Sequence, residues 1–334
     1  QMSAAERRRA GLRGLVHRPA VTRDGVAIRL MANLELPEDG EGAQANGAEG
    51  IGLYRTEFLY MNREDLPDEE EHLATYLDIM QGVGGMPLTI RTLDLGVDKY
   101  ADATGGPNPG VCNPALGLRA IRLCLKEPGL FRPQLRAILR ASASGPVRLM
   151  LPMVTNAQEV LTILELIAQH KAELSREGLA FDPELPVGAM VEVPAAALAA
   201  RSLARLMDFL SIGTNDLVQY TLAIDRLDDS VNYLFDPTHP AILRLVRMTI
   251  EAGGLHHIPV GMCGEMAGDP RFTRLLLGMG LRELSMQPGA LLDVKEIVLG
   301  SDTRELEWHT ARLFSRLDES SPEDLLDALN QISA

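Results

Sequence analysis

Three things are scarce or missing in this 334-residue chain: cysteine, basic charge and any long apolar run. Cys112, Cys124 and Cys263 make an odd number without CxxC spacing, which fits a reducing cytosol better than a disulfide framework or a zinc site. No stretch approaches the roughly 18 to 20 apolar residues that a membrane-spanning helix needs, so no membrane insertion is expected. Residues 1–14 are charged and helix-prone with no apolar segment behind them, which is unlike a signal peptide and reads more like the end of a linker helix. The 32 basic residues against 46 acidic ones leave a formal charge of −14 and argue against nonspecific nucleic-acid binding. An anionic ligand must therefore be held by a local basic cluster. No GxGxxG follows the first apolar run, which weakens a dinucleotide-binding reading.

What the chain does contain is a regular alternation. Short β-branched and aliphatic runs recur at 26–33, 50–55, 88–92, 147–153, 188–192, 209–213, 259–263 and 283–286. Between most of them the apolar spacing is helical, at 68–81, 114–142, 157–176, 195–207, 241–252, 271–277 and 291–299. Eight strand–helix units imply parallel pairing and suit closure into an α/β (β/α)8 TIM barrel better than an open sheet. The Gly/Pro-rich stretch 101–114 reads as a long loop and 301–334 as a terminal helical extension. The expected division is a linker-helix end at 1–20 and a barrel over 21–334 that includes this extension.

In such barrels the reacting groups sit where strands run out into the following loops. Arg55 and Arg91 end neighbouring runs, and two guanidinium groups brought together call for a doubly negative guest such as phosphate. The alternative is that each pairs with a nearby carboxylate, such as Glu57 or Asp94. Glu192 and Asp216 end consecutive runs and could share a hard cation, magnesium or manganese. Alternatively Asp216 caps the next helix and Glu192 forms an ion pair. Cys263 lies between glycines in GMCGE, where the backbone can approach a ligand closely. It is either a buried inert thiol or, beside cations, a transferable proton. His256 and His257 precede a strand and read as solvated loop residues on the opposite rim.

Together, residues 49–58 (EGIGLYRTEF), 91–99 (RTLDLGVDK), 113–122 (NPALGLRAIR), 188–196 (GAMVEVPAA), 211–226 (SIGTNDLVQYTLAIDR) and 261–269 (GMCGEMAGD) resemble enzyme I of the bacterial phosphoenolpyruvate-dependent phosphotransferase system. The resemblance runs from about residue 20 to 299, over the phosphoenolpyruvate-binding, dimer-forming half. Pyruvate phosphate dikinase and phosphoenolpyruvate synthase share this barrel, but the phrasing is closer to enzyme I. The resemblance implies that Arg55 and Arg91 hold the substrate phosphate with Lys99 nearby, and that Asn215 and the Asp216 backbone contact substrate. It also implies that Arg226 binds the phosphate and carboxylate end, that Glu192 and Asp216 ligate Mg, and that Cys263 protonates the enolate carbon. Implied partners are phosphoenolpyruvate and pyruvate, a phosphohistidine domain, a histidine-containing phosphocarrier protein and a second copy of the chain.

The chain departs from the family in two places. Val97 stands where the family has a second glycine before the Asp-Lys pair. The Thr-Ser-His type motif of the phosphohistidine domain is missing, so none of the seven histidines is the acceptor, and the chain reads as half of a larger enzyme. The competing expectations are a magnesium-dependent pyruvate-enolate lyase or aldolase and a non-catalytic phosphoenolpyruvate-sensing dimer.

Overall fold

The computed structural model describes residues 11–61, 63, 65–96, 113–319 and 321–331. Eight parallel strands close in chain order into a barrel, with β8 paired to β1. They are β1 Arg29–Leu34, β2 Ile51–Tyr54, β3 Leu88–Arg91, β4 Val147–Leu151, β5 Val187–Val191, β6 Phe209–Ile212, β7 Val260–Met262 and β8 Glu283–Met286. Every expected strand is present. Arg55, Thr92, Glu192, Gly213 and Cys263 end expected runs but lie just past their strands, where the chain enters the mouth, whereas β1 starts only at Arg29 and runs on to Leu34.

Two kinds of inside explain the strand sequences. On β4, Val147, Leu149 and Leu151 join the large apolar core between sheet and helices, whereas Met150 belongs to a separate small cluster with Leu53, Met190, Phe209 and Cys263. The same alternation holds on β5, where Ala189 and Val191 face the helices and Met190 faces inward. A period of two therefore assigns inward residues strand by strand. The lower interior is polar: Arg148 on β4 reaches across to Glu283 on β8 at 2.8 Å, donates to Thr89 at 2.9 Å and stacks over Phe209 at 4.8 Å.

This pair is enclosed, with side-chain exposures of 15 % and 9 %. Glu283→Ala strands a buried guanidinium and should cost about 3 to 5 kcal/mol of stability. Replacing both partners by apolar residues of similar volume should cost far less, and urea unfolding of the single and double variants checks the difference.

The helices on the outside are α1 Asp39–Ala45, α2 Glu69–Gly82, α3 Ala120–Lys126, α4 Pro128–Ala141, α5 Ala157–Glu177, α6 Pro194–Leu198, α7 Ala200–Ala204, α8 Thr214–Leu222, α9 Pro240–His256, α10 Glu265–Gly268, α11 Pro270–Gly278 and α12 Leu291–Leu299. Two further helices, α13 Thr303–Ser315 and α14 Pro322–Asn330, form the terminal extension.

Two expected helices are broken. The span 114–142 divides into a short 3-10 turn, α3 and α4, because Pro128 has no N–H and pushes Glu127 out of the helical region, to ψ 79°. The span 195–207 divides at Ala199, which caps α6 and precedes α7. His256 closes α9 and the exposed His257 takes a left-handed φ of 56°, so the helix runs further than its apolar pattern does.

Candidate active site

Strand geometry delivers the polar residues to one end. Arg55 follows β2 directly, Arg91 is the last residue of β3, Glu192 follows β5, and Cys263 follows β7 with its N–H on the Ile212 carbonyl at 3.1 Å. Asn215 and Asp216 lie in the first turn of α8, where the helix N-terminus supplies partial positive charge. Arg119 immediately precedes α3, and Arg226 lies beyond α8.

Carboxylate oxygens of Asp94, Glu192 and Asp216 all lie within 4.8 Å of one another. Glu192 is 3 % exposed and accepts the Met153 N–H at 2.6 Å, a geometry for which Met153 takes a left-handed φ of 55°. Burial, with Asp94 and Asp216 alongside, drives the Glu192 carboxyl up to about 8. Burial and Asp94 raise Asp216 as well, against Arg119 and Arg226. Asp94 goes the other way: burial works to raise it, but the Arg91 and Arg119 guanidinium groups outweigh burial and keep it ionised. Three converging hard oxygen donors, one of them held protonated near neutrality by burial and by its anionic neighbours, suit magnesium or manganese.

The cations are interleaved with these acids. Arg91 donates to Glu57 at 2.9 Å and pairs with Asp94 at 3.2 Å, while its Nε is buried without a hydrogen-bond partner among the described residues. Arg119 pairs with Asp94 at 2.7 Å, reaches the Tyr220 hydroxyl at 3.2 Å and lies 3.7 Å from Asp216. Arg55 pairs with Glu35 and is one-third exposed. Both carboxylates offered by the sequence as partners of Arg91 are thus its partners, and the free Nε remains as an unused donor. Arg226 sits 3.7 Å from Glu265, which exchanges two hydrogen bonds with Asn215 at 2.9 and 3.0 Å. Lys99 and Val97 lie outside the described residues.

Cys263 is 4 % exposed, and burial pushes its thiol up to about 11 even though Ser211, Arg91 and Arg55 pull it down. The cationic surroundings therefore do not produce a thiolate, and the group keeps its proton at neutral pH. The Ser211 hydroxyl lies 3.3 Å from the sulfur, and Asn33, itself held by Ser285 at 2.6 Å, grips the Cys263 carbonyl at 2.9 Å. Gly264 owes its place to something other than a ligand: a Cβ there would collide with the Thr214 side chain and backbone, so glycine lets the β7 loop close on the start of α8. Cys124, by contrast, is raised further, by burial first and by Asp94 second.

Two residues of this constellation were not singled out from the sequence. Asp94 stood only as a partner for Arg91, although three residues past the strand end suffice to bring it back over the mouth. Arg119 lies inside NPALGLRAIR, and its signal was an arginine placed directly ahead of an apolar helix.

Residues 9–303 match the family described as PEP-utilising enzyme, PEP-binding domain. A phosphoenolpyruvate-protein phosphotransferase from Cupriavidus necator is 53 % identical over 99 % of this chain and 56 % of that protein. One from Staphylococcus epidermidis is 46 % identical over 94 % of this chain and 54 % of that protein. The chain thus spans about half the length of these relatives. Among solved structures, a citrate lyase from Burkholderia xenovorans aligns at a TM-score of 0.43 and 20 % identity, over 77 % of this chain and 84 % of that chain. That likeness is too distant to bear on the site.

Proposed function

Because the chain belongs to the family of PEP-binding domains of PEP-utilising enzymes, we propose that it binds phosphoenolpyruvate across the barrel mouth and serves as the substrate half of a phosphoenolpyruvate-protein phosphotransferase. The observation that carries this reading is the pairing of an acidic triad with Arg91, whose buried Nε has no partner among the described residues. A ligand that is both phosphorylated and oxygen-rich satisfies both halves at once. Asp94, Glu192 and Asp216 would hold magnesium, which when bound would neutralise substrate charge. Arg91 and Arg55 take the phosphate, Asn215 and the Asp216 N–H the adjoining oxygens, and Arg226 the carboxylate end, with Lys99 as added positive charge.

Phosphoryl transfer relies on positioning and charge neutralisation more than on covalent help. The P–O bond breaks as the phosphoryl group passes to a histidine nitrogen of a partner domain, leaving the enolate of pyruvate. Cys263 then gives its proton to the enolate carbon, its S–H bond breaking as the C–H bond forms. The phosphoryl group moves on to a histidine-containing carrier. We place residues 21–334 as the barrel and self-association half and the protein in the cytoplasm as a homodimer; residues 1–10 of the expected linker-helix end lie outside the described residues.

The test is a calorimetric titration of phosphoenolpyruvate with magnesium, with manganese and in excess chelator. Binding should need either metal, and equal affinity in chelator would sink the proposal. A linked pH effect follows. Glu192 binds its proton more tightly folded, at about 8, than at its ordinary 4.5, so the metal-free fold loses stability as pH rises through that window. Magnesium should reverse the loss, because it favours the ionised form; melting curves from pH 5 to about 8.5, with and without the metal, check the sign.

A further inference from the structure

Behind the mouth, a chain of uncharged groups runs from the outer helices to the backbone that carries Arg91 and Asp94. Gln134 on α4 is fully buried; its Oε1 accepts the Leu93 N–H at 2.9 Å, and its Nε2 donates to the Thr56 hydroxyl at 3.0 Å and to Tyr76 at 3.3 Å. Thr56 donates onward to the Arg91 carbonyl at 3.1 Å. Tyr76 and Tyr60 hydroxyls each lie 3.1 Å from a ring nitrogen of His72.

Around Gln134 the direction of the bonds is fixed by counting protons. Thr56 spends its only hydroxyl proton on Arg91, so it must accept from the Gln134 amide, and that leaves the amide oxygen for Leu93. Beyond Gln134, the neutral His72 ring offers one donor and one acceptor nitrogen, so one of Tyr76 and Tyr60 donates to the ring and the other accepts from it. This chain of groups carries no ion. Burial agrees with this, since it holds the His72 ring neutral by lowering it to about 4.

From this geometry we infer that Gln134 is a positioning residue: together with Thr56 it fixes the 91–94 segment so that Arg91 and Asp94 face Glu192 and Asp216. The inference rests on the metal-and-phosphate reading of the mouth. Gln134 grips the segment at two points, directly at Leu93 and through Thr56 at Arg91, and lies behind the site without touching the triad. Without the amide, the Leu93 N–H loses its partner and the segment is free to turn towards another acceptor, carrying Asp94 with it.

The experiment measures manganese binding to the full chain by electron paramagnetic resonance in Gln134→Met, Thr56→Val, Asp94→Asn and Glu283→Ala. Methionine and valine keep the packing volume and delete the hydrogen bonds. Both should weaken manganese binding about tenfold, the scale expected when a group that orients a metal ligand is lost. Glu283→Ala lowers stability at the far end of the barrel and should bind manganese as wild type does, which separates positioning from general loosening. Wild-type affinity in both Gln134→Met and Thr56→Val, with Asp94→Asn weakened, would overturn the role of Gln134 alone. An equal loss in Glu283→Ala would overturn it as well. Undiminished binding by Asp94→Asn would remove the triad as a metal site and the inference with it. Should Gln134→Met fail to fold, Thr56→Val decides, since it deletes a single hydroxyl.

Discussion

Arg91→Ala is expected to lower phosphoenolpyruvate affinity at least ten- to hundredfold, with a much smaller loss for Arg55→Ala. Each charge-assisted hydrogen bond lost from a buried site costs about 1.5 to 3 kcal/mol, and about 1.4 kcal/mol is a factor of ten. Arg91 is 9 % exposed, so its charge is poorly screened, and its Nε is a donor that none of the described residues uses. Arg55 is one-third exposed and shared with Glu35, so solvent already competes for it. Arg91→Lys should not restore binding, because an ammonium cannot reproduce a planar fork held between Glu57 and Asp94. Calorimetry in saturating magnesium, on variants shown to be folded, is the measurement. Wild-type affinity in Arg91→Ala would remove the phosphate from its place beside this residue.

The barrel was legible because its signals are local. Eight apolar runs separated by helical periods leave few ways to pair, and the longest helix, α5, announces itself by an Asn156–Glu159 capping box at one end and Gly178 at φ 72° at the other. What was hidden depends on groups far apart in sequence. α1 has the composition DGEGAQA, too poor in apolar residues to show a period. The fragmentation of 114–142 was written in Pro128, but the apolar pattern runs through it.

At the mouth, Arg91, Glu192 and Cys263 could be read off strand ends, since a period of two carries the inward row straight to the rim, and Asp216 from its place just beyond β6, where it enters the first turn of α8. Arg119 and Gln134 could not. Arg119 joins the site from a loop, and Gln134 sits on an outer helix that meets β3 only after the barrel has closed. Nor does the sequence reveal how far burial wins over neighbouring charge at Cys263, since that balance is set by several strands at once.

That balance bears on the largest effect expected of any single substitution. A thiol held near 11 is protonated throughout the neutral range, which is the state a donor to carbon must be in. Cys263→Ala should leave phosphoenolpyruvate affinity nearly intact, because the phosphate, carboxylate and metal contacts all come from other residues. Turnover is another matter. On the proposed function, the assay supplies the phosphohistidine domain and its carrier, either in trans or rejoined to this chain. Under those conditions the alanine variant should form pyruvate about 10² to 10⁴ times more slowly, the range for losing a positioned acid. The two directions of reaction should also differ in pH dependence. Pyruvate formation uses the protonated thiol and so should hold level as pH rises until it nears 11. The reverse reaction needs the thiolate to take a methyl proton, so its rate should climb with pH over the same range. Wild-type turnover in Cys263→Ala would reduce the thiol to a packing residue of the inner cluster it shares with Leu53, Met150, Met190 and Phe209.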